Sequence, residues 1–183
     1  MQEQFEIFER MVAAAASRIT RLYFQLPVAG LEDAVYRERV YCYELYHQLR
    51  VEWNGFDFSL GGEVDKGGHP LFRAGEYAHA KPDFLVHRPG DMDHNLACVE
   101  VKPCIRPVGE FREDLKKLTW FCRNAQYYRG IFLVYGVEEH ETQDLNLLRA
   151  KLRTAAEDHQ IALGRICVMH HARAGHMATR VAL

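Results

Sequence analysis

An unbroken apolar run, Ile131-Phe132-Leu133-Val134-Tyr135, constrains the fold of this 183-residue sequence more than any other feature. It is too short for a helix, and a strand that is apolar at every position is one covered on both faces. The segments around it agree. Gly109–Tyr127 carries Phe111, Leu115, Leu118, Cys122 and Ala125 at steps of three and four, which predicts a helix with one buried face. Asp144–Asp158 repeats the pattern with Leu145, Leu148, Leu152 and Ala155, and Ile161–Met169 reads as a last strand. The tail from His170 carries no pattern. Helix and strand alternating in this way predict an α/β domain with a mixed sheet flanked by helices.

Upstream the period changes twice. Phe5, Phe8, Val12, Ala15, Ile19 and Leu22 fall on one face of a first helix that Pro27 and Gly30 end. A second helix is expected over 31–50, with Tyr41, Leu45 and Leu49 along one side and Arg37, Tyr41, Glu44 and Gln48 on a more polar face. From Phe56 the period is two: Phe56, Phe58 and Leu60 alternate with Asp57 and Ser59. Gly61-Gly62 and Gly67-Gly68 frame Glu63-Val64-Asp65-Lys66, and a loop rich in His, Gly and Ala follows. Lys81–His87 and Leu96–Lys102 are the next two strands, separated by a Pro89-Gly90 turn and stopped by Pro103 and Pro107. The organisation expected is one domain over 1–183: a helical extension over 1–30, a core over 31–136, and a helix and strand over 137–183.

Composition narrows the function classes. A formal net charge of −2 excludes a histone-like coating protein and requires any nucleic-acid contact to come from a local basic patch. No apolar run approaches the length of a membrane span, so no membrane partner is expected. The opening Met-Gln-Glu-Gln-Phe-Glu lacks the basic start and apolar stretch of a signal peptide, which predicts a cytoplasmic protein. Its five cysteines are then free thiols, and none are spaced Cys-x-x-Cys as a structural zinc site wants. Nothing around Cys42, Cys104 or Cys122 signals a nucleophile. His170, His171 and His176 lack the spacing of a ligand set.

The chemistry concentrates on the third strand, Leu96-Ala97-Cys98-Val99-Glu100-Val101-Lys102. Alternate side chains share a face, so Glu100 and Lys102 project together with Leu96 and Cys98, while Ala97, Val99 and Val101 point the other way. On the preceding strand Asp83 shares a face with Lys81 and Leu85, opposite Phe84 and Val86. If the two strands pair, Asp83 stands beside Glu100. Two carboxylates held together repel each other and call for a cation. Hard oxygen ligands with no soft partner suit Mg²⁺, with Mn²⁺ able to substitute. Such an ion lowers the pKa of a bound water towards neutrality, and an adjacent lysine orients that water and stabilises charge developing on phosphate.

Pro82-Asp83, sixteen intervening residues and then Glu100-Val101-Lys102 resemble the signature of the PD-(D/E)XK nuclease superfamily, which includes many restriction endonucleases. The family's core order, helix–strand–strand–strand–helix–strand, is similar to the reading of 31–135. The resemblance implies a restriction-endonuclease-like fold and a Mg²⁺-dependent endonuclease that hydrolyses DNA, with RNA as the alternative to DNA. Asp83 and Glu100, helped by the Val101 carbonyl, would bind the ion, and Lys102 would position the water. It also implies a supporting glutamate on the helix before the sheet, for which Glu44 is the candidate, and an acid on the first strand, for which Glu63 is placed, also as a ligand. Asp114, Lys117 and Gln126 are weaker candidates on the following helix. A homodimer, or a subunit of a larger defence or repair complex, is the expected assembly.

Each reading has a plainer counterpart. Glu100, Lys102 and Asp83 also suit a cross-strand ion pair on an edge strand. Glu44 also suits a solvated helix face, and Glu63 a turn. Arg106, Arg112, Lys116 and Arg123 form either a phosphate-tracking stripe or an ordinary helix surface interleaved with Glu110, Glu113 and Asp114. Trp120, Tyr127 and Tyr128 suit base stacking or the core. A catalytically silent module of the same fold, binding nucleic acid or a protein partner, is the alternative to the enzyme. A nucleotide-handling enzyme lacks its Gly-rich phosphate loop here.

Overall fold

The computed structural model describes residues 1–63, 77, 80–137 and 144–183. The segment Val64–Lys66, Gly67-Gly68 and most of the His/Gly/Ala-rich loop lie outside them. Three helices come first, α1 (Gln2–Ala16), α2 (Arg21–Phe24) and α3 (Glu38–Val51). The sheet and its crossovers follow: β1 (Ser59–Gly62), β2 (Phe84–His87), β3 (Asn95–Pro103), α4 (Val108–Asn124), β4 (Arg129–Tyr135), α5 (Asp144–Ala156), β5 (Ile166–His171) and β6 (Thr179–Arg180). The six strands lie side by side in chain order. The pairs β1–β2, β2–β3 and β5–β6 are antiparallel, while β3, β4 and β5 run parallel. The result is an α/β architecture with a mixed sheet flanked by helices.

The apolar run of β4 is buried at every position from Gly130 to Tyr135, and its alternate residues feed two separate cores. Ile131, Leu133 and Tyr135 join Phe84, Val86, Val99 and Val101 against α1 and α3. Phe132 and Val134 join Leu85, Cys98 and Val168 against the apolar stripes of α4 and α5. The alternation read from β2 and β3 therefore holds, with one exception. Leu96 packs on the α1–α3 side, not with Cys98. Val86 pairs with Ala97 and His87 with Asn95, so Leu96 is the extra residue of a bulge and the face alternation slips there.

Boundaries moved for local reasons. The first helix ends at Ala16: Arg18 and Ile19 donate back three residues to Ala15 and Ala16, and Ser17 Oγ bonds the Ala14 carbonyl at 2.7 Å. Ile19 is buried beyond that end, whereas Leu22 is exposed on α2 and does not continue the stripe. The second helix starts at Glu38, not at residue 31. Gly30, at a φ of 85°, turns the chain so that Leu26 and Val35 exchange both backbone hydrogen bonds. The strand expected from Phe56 starts at Ser59, which pairs with His87, while the preceding Phe58 carbonyl accepts a hydrogen bond from Trp53 Nε1 at 2.6 Å. At the other end β5 starts at Ile166 after a short 3₁₀ turn and runs through His171, and the patternless tail supplies β6. All five cysteines are free and buried. Among the described residues no helix is long and apolar enough to cross a membrane.

Candidate functional site

The site lies where β2 and β3 meet, on the face that carries α4. Antiparallel pairing sets Phe84 opposite Val99, and one further step of that register sets Asp83 opposite Glu100. Both follow the side of Leu85 and Cys98. Asp83 is half-buried, and its Oδ2 accepts the Val101 N–H at 2.7 Å. That bond fixes the carboxylate against β3. Val101 thus enters the site first through its amide. Glu100 is 3 % exposed, its Oε2 is 2.8 Å from Lys117 Nζ, and its Oε1 is buried without a hydrogen-bond partner.

Two lysines answer these acids. Lys102 Nζ lies 3.0 Å from Glu38 Oε2 and 3.2 Å from Asp114 Oδ2. Lys117 lies one turn along α4 from Asp114, whose Oδ1 is 3.3 Å from its ammonium. The buried Asp114 carboxylate therefore bridges both lysines, one per oxygen. Helix periodicity explains the placement. Asp114 lies three residues after Phe111 and four before Leu118, on the stripe that α4 turns to the sheet.

Charge does not balance. Glu38, Asp83, Glu100 and Asp114 contribute four carboxylates against the two ammonium groups of Lys102 and Lys117, a net of −2 when all are ionised. The cost appears in the proton affinities. Burial pushes Asp83 up to about 7, against the opposing hydrogen bond from Val101. Burial, then repulsion from Asp83, pushes Glu100 up as well. Burial works against the charge on both lysines. The Asp114 and Glu38 carboxylates outweigh it for Lys102, as Glu100 and Asp114 do for Lys117. Cys42 on α3 faces the same acids; burial and their charge hold its thiol protonated, so it is no nucleophile.

The expected supporting acids lie elsewhere. Glu44 is half-buried on α3 and accepts a hydrogen bond from Gln48 at 2.7 Å. Glu63 is exposed, adopts a left-handed φ of 44° and pairs with Arg39 at 3.2 Å, touching Asp83 only through its own N–H. Glu38 stands where Glu44 was expected. It was missed because residues 31–50 read as one helix, although Glu38, Tyr41, Leu45 and Leu49 follow steps of three and four along the buried side. Of the weaker candidates Asp114 and Lys117 join the cluster, while Gln126 is exposed past the end of α4. On the basic flank of α4, Arg112 donates to the Thr154 carbonyl, Lys116 pairs with Asp158, and Arg123 donates to the Gln160 carbonyl.

The donor set suits a small hard cation. A buried oxygen lacks a partner, all the acids offer oxygen, and the excess of two acids over lysines, which protons otherwise offset, equals the charge of a divalent ion. Among the described residues no three His, Cys, Asp or Glu side chains form a ready-made ligand cage. Set against protein-family models, curated proteins and solved structures, the chain matches none, so its own geometry carries the functional reading.

Proposed function

We propose that this protein is a Mg²⁺-dependent nuclease of the PD-(D/E)XK type that hydrolyses phosphodiester bonds in DNA. The observation that carries the reading is the pair of carboxyl groups on adjoining strands, on one face, in a buried cluster of four acids and two lysines with Glu100 Oε1 unpartnered. The order of α3, β1, β2, β3, α4 and β4 supports a restriction-endonuclease-like core.

Asp83 and Glu100 are the residues to hold the ion, with the Val101 carbonyl as a further donor and waters or substrate oxygens at the remaining positions. The ion, when bound, polarises the phosphate and lowers the pKa of water. The Val101 amide keeps Asp83 aimed. Lys102, held charged by Asp114 and Glu38, stabilises negative charge developing on the scissile phosphate. Cutting both strands of a duplex calls for two such centres, supplied by a homodimer or by a partner within a larger complex.

A second reading has its own support. Lys117 already neutralises Glu100, which suits a silent module whose cluster is structural. Calorimetric titration with Mn²⁺ separates the two. The nuclease binds the ion, and Asp83→Asn and Glu100→Gln weaken it. Absence of binding to the parent and to every lysine variant described below leaves only the silent module.

A further inference from the structure

The contact between Lys117 and Glu100 bears on how the site is filled. Lys117 comes from α4 whereas Glu100 lies on β3, and its Nζ is 2.8 Å from Glu100 Oε2. Its alternative partner is in place: Asp114 Oδ1 is 3.3 Å away. The side chain is 21 % exposed against 4 % for Glu100, so the amine has room to withdraw and the carboxylate does not. Lys102 carries the same charge in the same cluster but pairs with Glu38 and Asp114.

We propose that Lys117 is a built-in competitor of the divalent cation. Its ammonium is the resident counterion of Glu100, and an arriving ion displaces it onto Asp114. The inference rests on the metal-dependent reading above and adds a control on occupancy. Metal binding is then an exchange of partners within a preformed cluster, and its affinity is set by how firmly Lys117 is held.

The test uses the full chain and Mn²⁺ alone, titrated by calorimetry without nucleic acid. Lys117→Met and Lys102→Met each remove one positive charge, so a pure net-charge effect strengthens Mn²⁺ binding equally in both. Competition predicts that Lys117→Met binds more tightly than Lys102→Met by roughly ten- to a hundredfold, the range for one charge-assisted hydrogen bond. Equal affinities in the two variants overturn the competitor while leaving the metal site intact. A parent protein that binds weakly or undetectably beside a Lys117→Met variant that binds, with Lys102→Met binding at least about tenfold more weakly than Lys117→Met, supports it. No binding in any variant removes the metal reading and the competitor together. Lys117→Gln, with far-ultraviolet circular dichroism confirming the fold, repeats the measurement if the methionine variant does not fold.

Discussion

Two buried polar groups near the carboxyl ends of the parallel strands solve the same problem in opposite ways. Tyr41 and His171 meet at 2.8 Å, both fully buried, inside a cage of Phe24 and Tyr135 rings. Burial pushes the Tyr41 hydroxyl up and His171 down to about 4, so the pair is neutral at pH 7. The acid–lysine cluster instead holds four carboxyl groups against two ammonium groups, so protons or a cation must balance it, and Glu100 Oε1 is unpartnered. The Tyr41–His171 pair is not fully satisfied either, since His171 Nε2 is buried without a hydrogen-bond partner, but being neutral it leaves no excess charge to answer. An excess of buried acids over lysines favours the uptake of protons or of a cation, and that difference separates structural polarity from a candidate site.

The largest effect that sharpens this contrast is on activity. Asp83→Ala, Glu100→Ala and Lys102→Ala each lower metal-dependent cleavage of DNA by at least about a hundredfold, while Glu44→Ala and Glu63→Ala leave it within a small factor. Initial rates on single- and double-stranded DNA and on RNA, with folding checked by circular dichroism, measure it. Full-rate cleavage by the Glu100→Ala protein removes the cluster from the chemistry.

The next effects are on stability against pH, where the two groups have opposite signs. An acid whose pKa rises on folding, like Asp83, binds more protons folded than unfolded between about 4 and 7. Its penalty therefore appears as pH climbs through that window and reaches at most roughly 4 kcal/mol, less whatever solvent screens. Asp83→Asn keeps an acceptor for the Val101 amide and removes the penalty, so metal-free stability at pH 7.5 increases. A histidine whose pKa falls on folding has the reverse effect. His171 withdraws stability as pH drops from about 6.5 to about 4, by up to roughly 3 kcal/mol. In the parent protein the two slopes oppose each other over the shared window. Urea unfolding at several pH values is expected to show stability falling more steeply with acid in Asp83→Asn, and rising with acid in His171→Leu. Identical slopes in parent and Asp83→Asn break the contrast at its charged end.

Legibility in the sequence followed the same division. The strands that carry Asp83 and Glu100, their shared face and the covering helix were readable because period two and the stripe of α4 are strong signals. Pairing also places Lys102 as expected, at the end of β3. The partners were harder. Glu38 and Asp114 lie on apolar stripes, where an acid reads as an interruption rather than a ligand, and only the tertiary fold shows Lys102 reaching both. The start of α3 depended on a turn at Gly30 and a single bridge between Leu26 and Val35, too local for periodicity to register. Glu44 shares the helix of Glu38 but lies six residues from it, which is not a whole number of turns, so the two side chains leave α3 in different directions.

The smallest effect tests the neutral end. Tyr41→Phe removes the hydroxyl and leaves the ring stacked on Tyr135 at 3.9 Å, with the His171 Nδ1 bond lost. The expected loss is about 1–2 kcal/mol, the cost of leaving one buried neutral group unpaired, measured by urea unfolding at pH 7.5. Mn²⁺ affinity is expected to stay at the parent value, because no charge changes and the Tyr41 hydroxyl bonds His171 rather than a member of the cluster. If Tyr41→Phe instead alters metal affinity as strongly as Asp83→Asn does, the two groups are one coupled network, and neutrality no longer marks one of them as purely structural. A stability loss with unchanged affinity keeps them apart, with surplus charge as the property that distinguishes the site.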